Sequence, residues 1–114
     1  NVALVDRFSR VIPFTFLPVD EEIAAIVKRT GCNENLAAHV HHLIRAARAK
    51  VELAEIVDAP SIRSIMAFIR AMTVLSPRQA FETAVVARQP SESHATLRGL
   101  YEAYINEEEL INYL

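Results

Sequence analysis

From residue 20 onward the chain carries apolar residues at every third or fourth position, in runs separated by residues that start or stop helices. Such spacing lines one face of a helix of about 3.6 residues per turn and does not match the alternation of a strand. Asp20 follows Pro18 and precedes Glu21 and Glu22, which reads as an N-cap acceptor followed by two acids at the positive end of a helix dipole. Ile23, Ile26 and Val27 mark the buried face, and Gly31 is a natural stop. Asn33 or Asn35 caps a second helix, in which Leu36, Val40, Leu43, Ile44 and Ala47 recur; Arg45, Arg48 and Lys50 come late in it, where cations suit the dipole. Residues 51–58 read either as an extension of this helix or as a loop. Pro60-Ser61 opens a third helix, with Ile62, Ile65, Met66 and Ile69 inside. Ser76-Pro77 gives the fourth a cap and a proline at its first position; Ala80, Phe81, Ala84 and Val85 form its stripe, and Gln89-Pro90-Ser91 breaks it. Leu97, Leu100, Tyr101, Tyr104 and Ile105 mark a fifth helix. The pattern therefore predicts an all-α fold, a small bundle of about five helices.

Composition narrows the function. The chain has 114 residues, 52% of them hydrophobic and 23% charged, enough apolar surface for one domain with a real core. With only two glycines, Gly31 and Gly99, it holds neither a G-x-x-x-x-G-K-[ST] phosphate loop nor a G-x-G-x-x-G fingerprint. The net charge of −2, from 12 Lys and Arg against 14 Asp and Glu, argues against a general nucleic-acid binder. No apolar run approaches the roughly 20 residues that span a bilayer, and no signal peptide is recognisable. A lone cysteine, Cys32, excludes an internal disulfide framework and agrees with a cytoplasmic location. The chain begins at Asn1, without an initiator Met and within an amphipathic pattern, and reads as a piece of something longer.

The first 19 residues differ. Residues 2–8 suit one or two helical turns, whereas Ile12, Phe14 and Phe16 alternate as in a strand. Pro13 within that run argues against a central strand. A strand-like arm without a partner suggests a sheet left behind in the parent protein.

Three motifs stand out. Leu4-Val5-Asp6-Arg7-Phe8 precedes the strand-like arm and the Pro18-Val19-Asp20-Glu21-Glu22-Ile23 turn. Ala59-Pro60-Ser61-Ile62-Arg63-Ser64-Ile65 opens a helix. Leu75-Ser76-Pro77-Arg78-Gln79-Ala80-Phe81 opens the next, and Arg88-Gln89-Pro90 follows it. In order and spacing these resemble the C-terminal end of a MoxR-type AAA+ ATPase. There an "L-x-x-R-F" element ends the ATPase core, a strand and a "P-x-x-x-E" turn follow, and a "[PS]-x-R" motif opens the lid helix that carries the sensor-2 arginine. Within that family the chain is most similar to the NirQ/NorQ/CbbQ-like branch, whose "P-R-x-A" helix matches Pro77-Arg78-Gln79-Ala80. Ser-Ile-Arg stands here where Ser-Pro-Arg or Ser-Thr-Arg is common, and residues 32–58 carry no family signature.

The resemblance implies residues 1–19 as the end of an AAA+ core and residues 20–114 as a helical lid with a C-terminal helical tail. Arg7 would be the arginine finger that reaches the γ-phosphate of ATP on a neighbouring subunit, a task suited to a planar guanidinium; the alternative is a surface arginine paired with Asp6 or Asp20. Arg63 would be the sensor-2 arginine at a helix N-terminus, with Ser61 as cap; the alternative is a solvent-facing arginine, and with Arg70 and Arg78 it could form a basic stripe. The parent would hydrolyse ATP with Mg2+ as a ring, expected as a hexamer. It would act as a chaperone-like remodeller of a metalloenzyme complex, with a von Willebrand factor A-domain protein as partner and nitric oxide reductase or Rubisco as client. The fragment alone would be no ATPase, since the Walker A and B motifs would precede it. The competing readings are a stand-alone helical interaction module, a generic MoxR-type lid with another client, and a DNA-binding helical domain using that basic stripe, against which the net charge and the absence of a Gly-containing helix-turn-helix speak.

The remaining chemistry-bearing residues read plainly. His39 and His42 lie three apart on one helix, a possible ligand spacing, yet no acid or second cysteine supports them, so His39, His41 and His42 read as surface histidines and no metal is expected. Cys32 beside Gly31 reads as a small buried thiol, and Ser91-Glu92-Ser93 as a helix cap. Glu107-Glu108-Glu109 reads as a solvated face. The adjoining Leu110, Ile111, Tyr113 and Leu114 are either a docking tail or a last turn on the domain's own core.

Overall fold

The computed structural model describes residues 17–114, which form six α-helices and two 3-10 turns, with no strand among the described residues. The helices are α1 (Val19–Thr30), α2 (Glu34–Glu52), α3 (Ile62–Ala71), α4 (Pro77–Ala84), α5 (His94–Tyr104) and α6 (Glu107–Asn112). The 3-10 turns Val86–Arg88 and Ser91–Ser93 connect α4 to α5. The strand-like arm and Arg7 lie outside the described residues.

Helix ends follow their local chemistry. Pro18, not Asp20, precedes α1, and no side chain caps it; Asp20, Glu21 and Glu22 all sit in the first turn, where acids meet the free N–H groups. Gly31, at φ 72°, closes α1 in the left-handed conformation that glycine adopts without steric penalty. Asn33, rather than Asn35, caps α2: its side chain accepts from the Asn35 N–H at 2.7 Å. Ser61 caps α3 by accepting from the Ser64 N–H, and Ser76 and Gln79 form a reciprocal capping box on α4, with Pro77 at the first position.

Residues 51–58 divide between the two readings. The helix continues to Glu52, then stops at Ala54, whose φ is 60°. The Ala54 N–H donates to Val51 O and the Glu55 N–H to Lys50 O, the paired bonds of a Schellman stop. Alanine fills the place usually taken by glycine, so this helix end carries no sequence signal. Nor does Ser93 cap α5: its hydroxyl is buried without a partner, and Ser91–Ser93 is a 3-10 turn. The tail forms a helix of its own, α6, capped by Asn106 and anchored by the fully buried Leu110. Its acids thus occupy a first turn as well as a solvated face.

The packing order can be read from pairs of side chains. Glu22 of α1 meets Arg48 of α2, while Thr30 and Leu36 lie together at the opposite end, so α1 and α2 run antiparallel. Arg70, near the close of α3, donates to the Arg29 carbonyl near the close of α1, which joins the last turns of the two helices. Arg78–Glu102 and Glu82–Arg98 fix α4 and α5 antiparallel. The core between these layers holds Ile26, Leu36, Leu43, Ile44, Ile65, Phe68, Phe81, Leu97 and Tyr101. Phe68 and Phe81 meet edge to face at 5.5 Å, and the Phe81 and Tyr101 rings meet tilted at 4.9 Å.

One polar cluster sits inside this packing. Glu22 is 6% exposed and accepts a bidentate fork from Arg48, Nη1 to Oε1 and Nη2 to Oε2, both at 2.8 Å. His41, fully buried, bonds the same Oε1 through Nε2 at 2.8 Å. Because the carboxylate can only accept, Nε2 carries the proton, and His41 Nδ1 is left without a partner. The Arg48 fork holds the Glu22 carboxyl below its ordinary value of 4.5; burial opposes this, and the bond from His41 adds to it. A lowered folded value means that Glu22 stabilises the fold above that ordinary value and ceases to do so as pH falls through the lowered one. Glu22→Gln should therefore lose about 1.5–3 kcal/mol at neutral pH, the range for hydrogen bonds to charged groups. Urea unfolding of wild type and variant should show this gap closing as pH drops below about 4.5. A gap that stays constant through acid would remove the Glu22 charge as its source.

Candidate functional site

The start of α3 carries the one sequence-predicted site residue that the structure describes. Ser61 accepts from the Ser64 N–H at 3.1 Å and its hydroxyl donates to Ser64 Oγ at 3.2 Å. Ser64 is itself buried, and Ile62 packs against the core, so both flanks of Arg63 are held while Arg63 is exposed. No described residue pairs with the Arg63 guanidinium. It stands beside the free N–H groups of the first helical turn, where helix dipole and side chain both favour an anion.

The start of α1 and the close of α2 lie together, joined by the Glu22–Arg48 pair. Exposed apolar side chains include Leu17 and Val19 at the start of α1, and Leu53 and Val57 after α2.

The other arginines of the supposed basic stripe are differently placed. Arg70 is exposed but donates to the Arg29 carbonyl at 3.2 Å, joining α3 to α1. Arg78 pairs with Glu102, lies 3.9 Å from Glu107, and stacks over the Tyr101 ring at 4.8 Å. Burial, with the Glu107 carboxylate beside it, pushes the Tyr101 phenol far above its ordinary value. Arg63, Arg70 and Arg78 therefore do not form one free cationic face, which weakens the nucleic-acid reading.

The histidines separate into three environments, and one departs from the surface reading. His41 is buried against Glu22, because its position on α2 falls on the side that receives α1. His39 Nε2 accepts the Asn106 N–H at 3.2 Å, its Nδ1 lies 3.6 Å from Glu109, and Tyr113 meets its ring edge to face; it clips α6 to α2. His42 is exposed and packs 5.4 Å from the Tyr104 ring. Among the described residues no group of three or more metal-ligating side chains converges. Cys32 is half-buried rather than buried. The Glu22–His41–Arg48 cluster is absent from the motif reading; its one sequence trace is that His41 and Arg48 stand seven apart on the inner side of an apolar helix.

Arg63→Ala should leave unfolding within about 0.5 kcal/mol of wild type, as for surface changes away from special features. Arg78→Ala should lower the thermal midpoint more, because it removes the Glu102 pair and uncovers Tyr101. Equal midpoints for the two variants would show that the Arg78 contacts contribute nothing. Comparison of the chain with protein-family models, with curated proteins and with solved structures finds no match.

Proposed function

We propose that this chain is the helical lid of an AAA+ ATPase of the MoxR type, and that Arg63 reads the bound nucleotide. The observation that carries the proposal is the state of Arg63: exposed, unpaired among the described residues, and fixed in the first turn of a Ser61-capped helix. Arg48, Arg70, Arg78 and Arg98, by contrast, engage groups within the described domain. A free guanidinium beside a helix N-terminus suits the phosphates of a nucleotide bound on an adjoining domain. The exposed Leu17, Val19, Leu53 and Val57 offer apolar surface that an adjoining core would cover. ATP and Mg2+ would be held by the core, and Arg7 would serve a neighbouring subunit of the ring. The chaperone role, the von Willebrand factor A-domain partner and the metalloenzyme client follow from the motif resemblance alone.

In the intact ATPase, Arg63→Ala should fold normally, since alanine is at least as good a helix former as arginine. ATP turnover at saturating nucleotide should fall roughly 10- to 100-fold, the loss of one charge-assisted phosphate contact. Unchanged turnover would return Arg63 to the class of surface arginines. Arg7 is tested by mixing: Arg7→Ala subunits should poison wild-type rings, whereas activity that falls only in proportion to the mutant fraction would exclude a finger acting in trans.

A further inference from the structure

At the opposite end of α3 from Arg63, the α1–α2 turn, the close of α3 and the C-terminal residues line an open cavity of about 350 Å³. This is within the range of small-molecule pockets. Leu36, 1% exposed, and Ile69, 4% exposed, belong to the core and contribute apolar wall; Tyr113 and Leu114 contribute more.

The polar groups of the wall are sorted by what they have already bonded. The Thr30 hydroxyl donates to Ile26 O and accepts from the Cys32 N–H. The Thr73 hydroxyl donates to Arg70 O. Asn33 spends its carbonyl oxygen on the Asn35 N–H, which leaves its amide N–H pair unused. Arg70 donates through Nη2 to the Arg29 carbonyl, which steadies the guanidinium and leaves most of its five donors unused. No described Asp or Glu side chain lines the cavity. Among the described side chains on its wall the charged one is Arg70, and the free side-chain hydrogen-bonding capacity of Arg70 and Asn33 is of donors alone.

We propose that this cavity binds a small amphiphilic carboxylate: an apolar body against Leu36, Ile69 and Tyr113, and a carboxylate on the Arg70 fork. A neutral alcohol of the same length would offer Arg70 one weak acceptor in place of two charged ones. The site is independent of the nucleotide reading of Arg63.

The test is an NMR titration of the 114-residue chain with octanoate, octanol and acetate. Octanoate should shift the amide signals of residues 30–36 and 69–73 in a saturable way. Octanol and acetate should each bind at least about tenfold more weakly, since each lacks one half of the recognition. Arg70→Met, with its fold checked by circular dichroism, should weaken octanoate binding by about tenfold or more and leave octanol unchanged. Shifts that do not saturate, shifts confined to other residues, or equal binding of octanoate and octanol to the wild-type chain would overturn the proposal. The last comparison needs no variant and so stands even if Arg70→Met unfolds.

Discussion

The Glu22 carboxylate is the contact on which the placement of α1 depends. Its two oxygens receive both arms of the Arg48 fork, and one of them also receives His41 Nε2–H. Apolar contacts between helices tolerate some sliding because they carry little direction; a bidentate fork does not. Moving α1 by one turn along α2, about 5.4 Å, would part Glu22 from both partners and leave charge buried without compensation. The position of α1 then sets that of its last carbonyls, one of which receives Arg70 from α3. Register thus passes from one carboxylate to the third helix. Replacing a buried ion pair with well-packed apolar groups is often neutral or stabilising, so what this cluster adds is alignment more than net stability.

The rest of the packing rests on weaker but repeated constraints. Phe68, Phe81 and Tyr101 stack through α3, α4 and α5, and the ion pairs of Arg78 and Arg98 hold the rim of the same interface. His39 ties α6 to α2 by accepting the N–H of Asn106, the residue that itself caps α6. A short helix thus gets both ends of its first turn satisfied, one from its own cap and one from a distant histidine.

The fold was legible in the sequence wherever local chemistry fixes the backbone. The apolar periods of the first five helices, Gly31 as a stop, Ser61 as a cap and the Ser76-Pro77 start all act within a few residues, and the structure has each of them; of Asn33 and Asn35, both open as caps in the sequence, it uses Asn33. The reading lost its hold where the deciding partner is remote or unusual. Ala54 ends α2 in a conformation that favours glycine, so nothing marks the stop. His41 looked like one histidine of three until α1 covered it. Glu22 reads as one of two acids at a helix dipole, and only its position relative to α2, set by tertiary packing, makes it the buried one. α6 needed Asn106 and the docking of Leu110, which only the assembled core provides.

The candidate site was legible to a different degree. A motif can nominate Arg63, Arg70 and Arg78 alike, since each is a helical arginine near a helix end or turn. What separates them is the partner each has found. Arg78 is taken up by Glu102 and the Tyr101 ring, and Arg70 is braced on a carbonyl while it lines a cavity. Arg63 has no described partner, although Ser61 and the neighbouring core side chains hold its backbone in place. Among these three arginines, Arg63 is the one whose guanidinium is not engaged by another described residue, and a contact to a nucleotide on an adjoining domain, as proposed, requires that state.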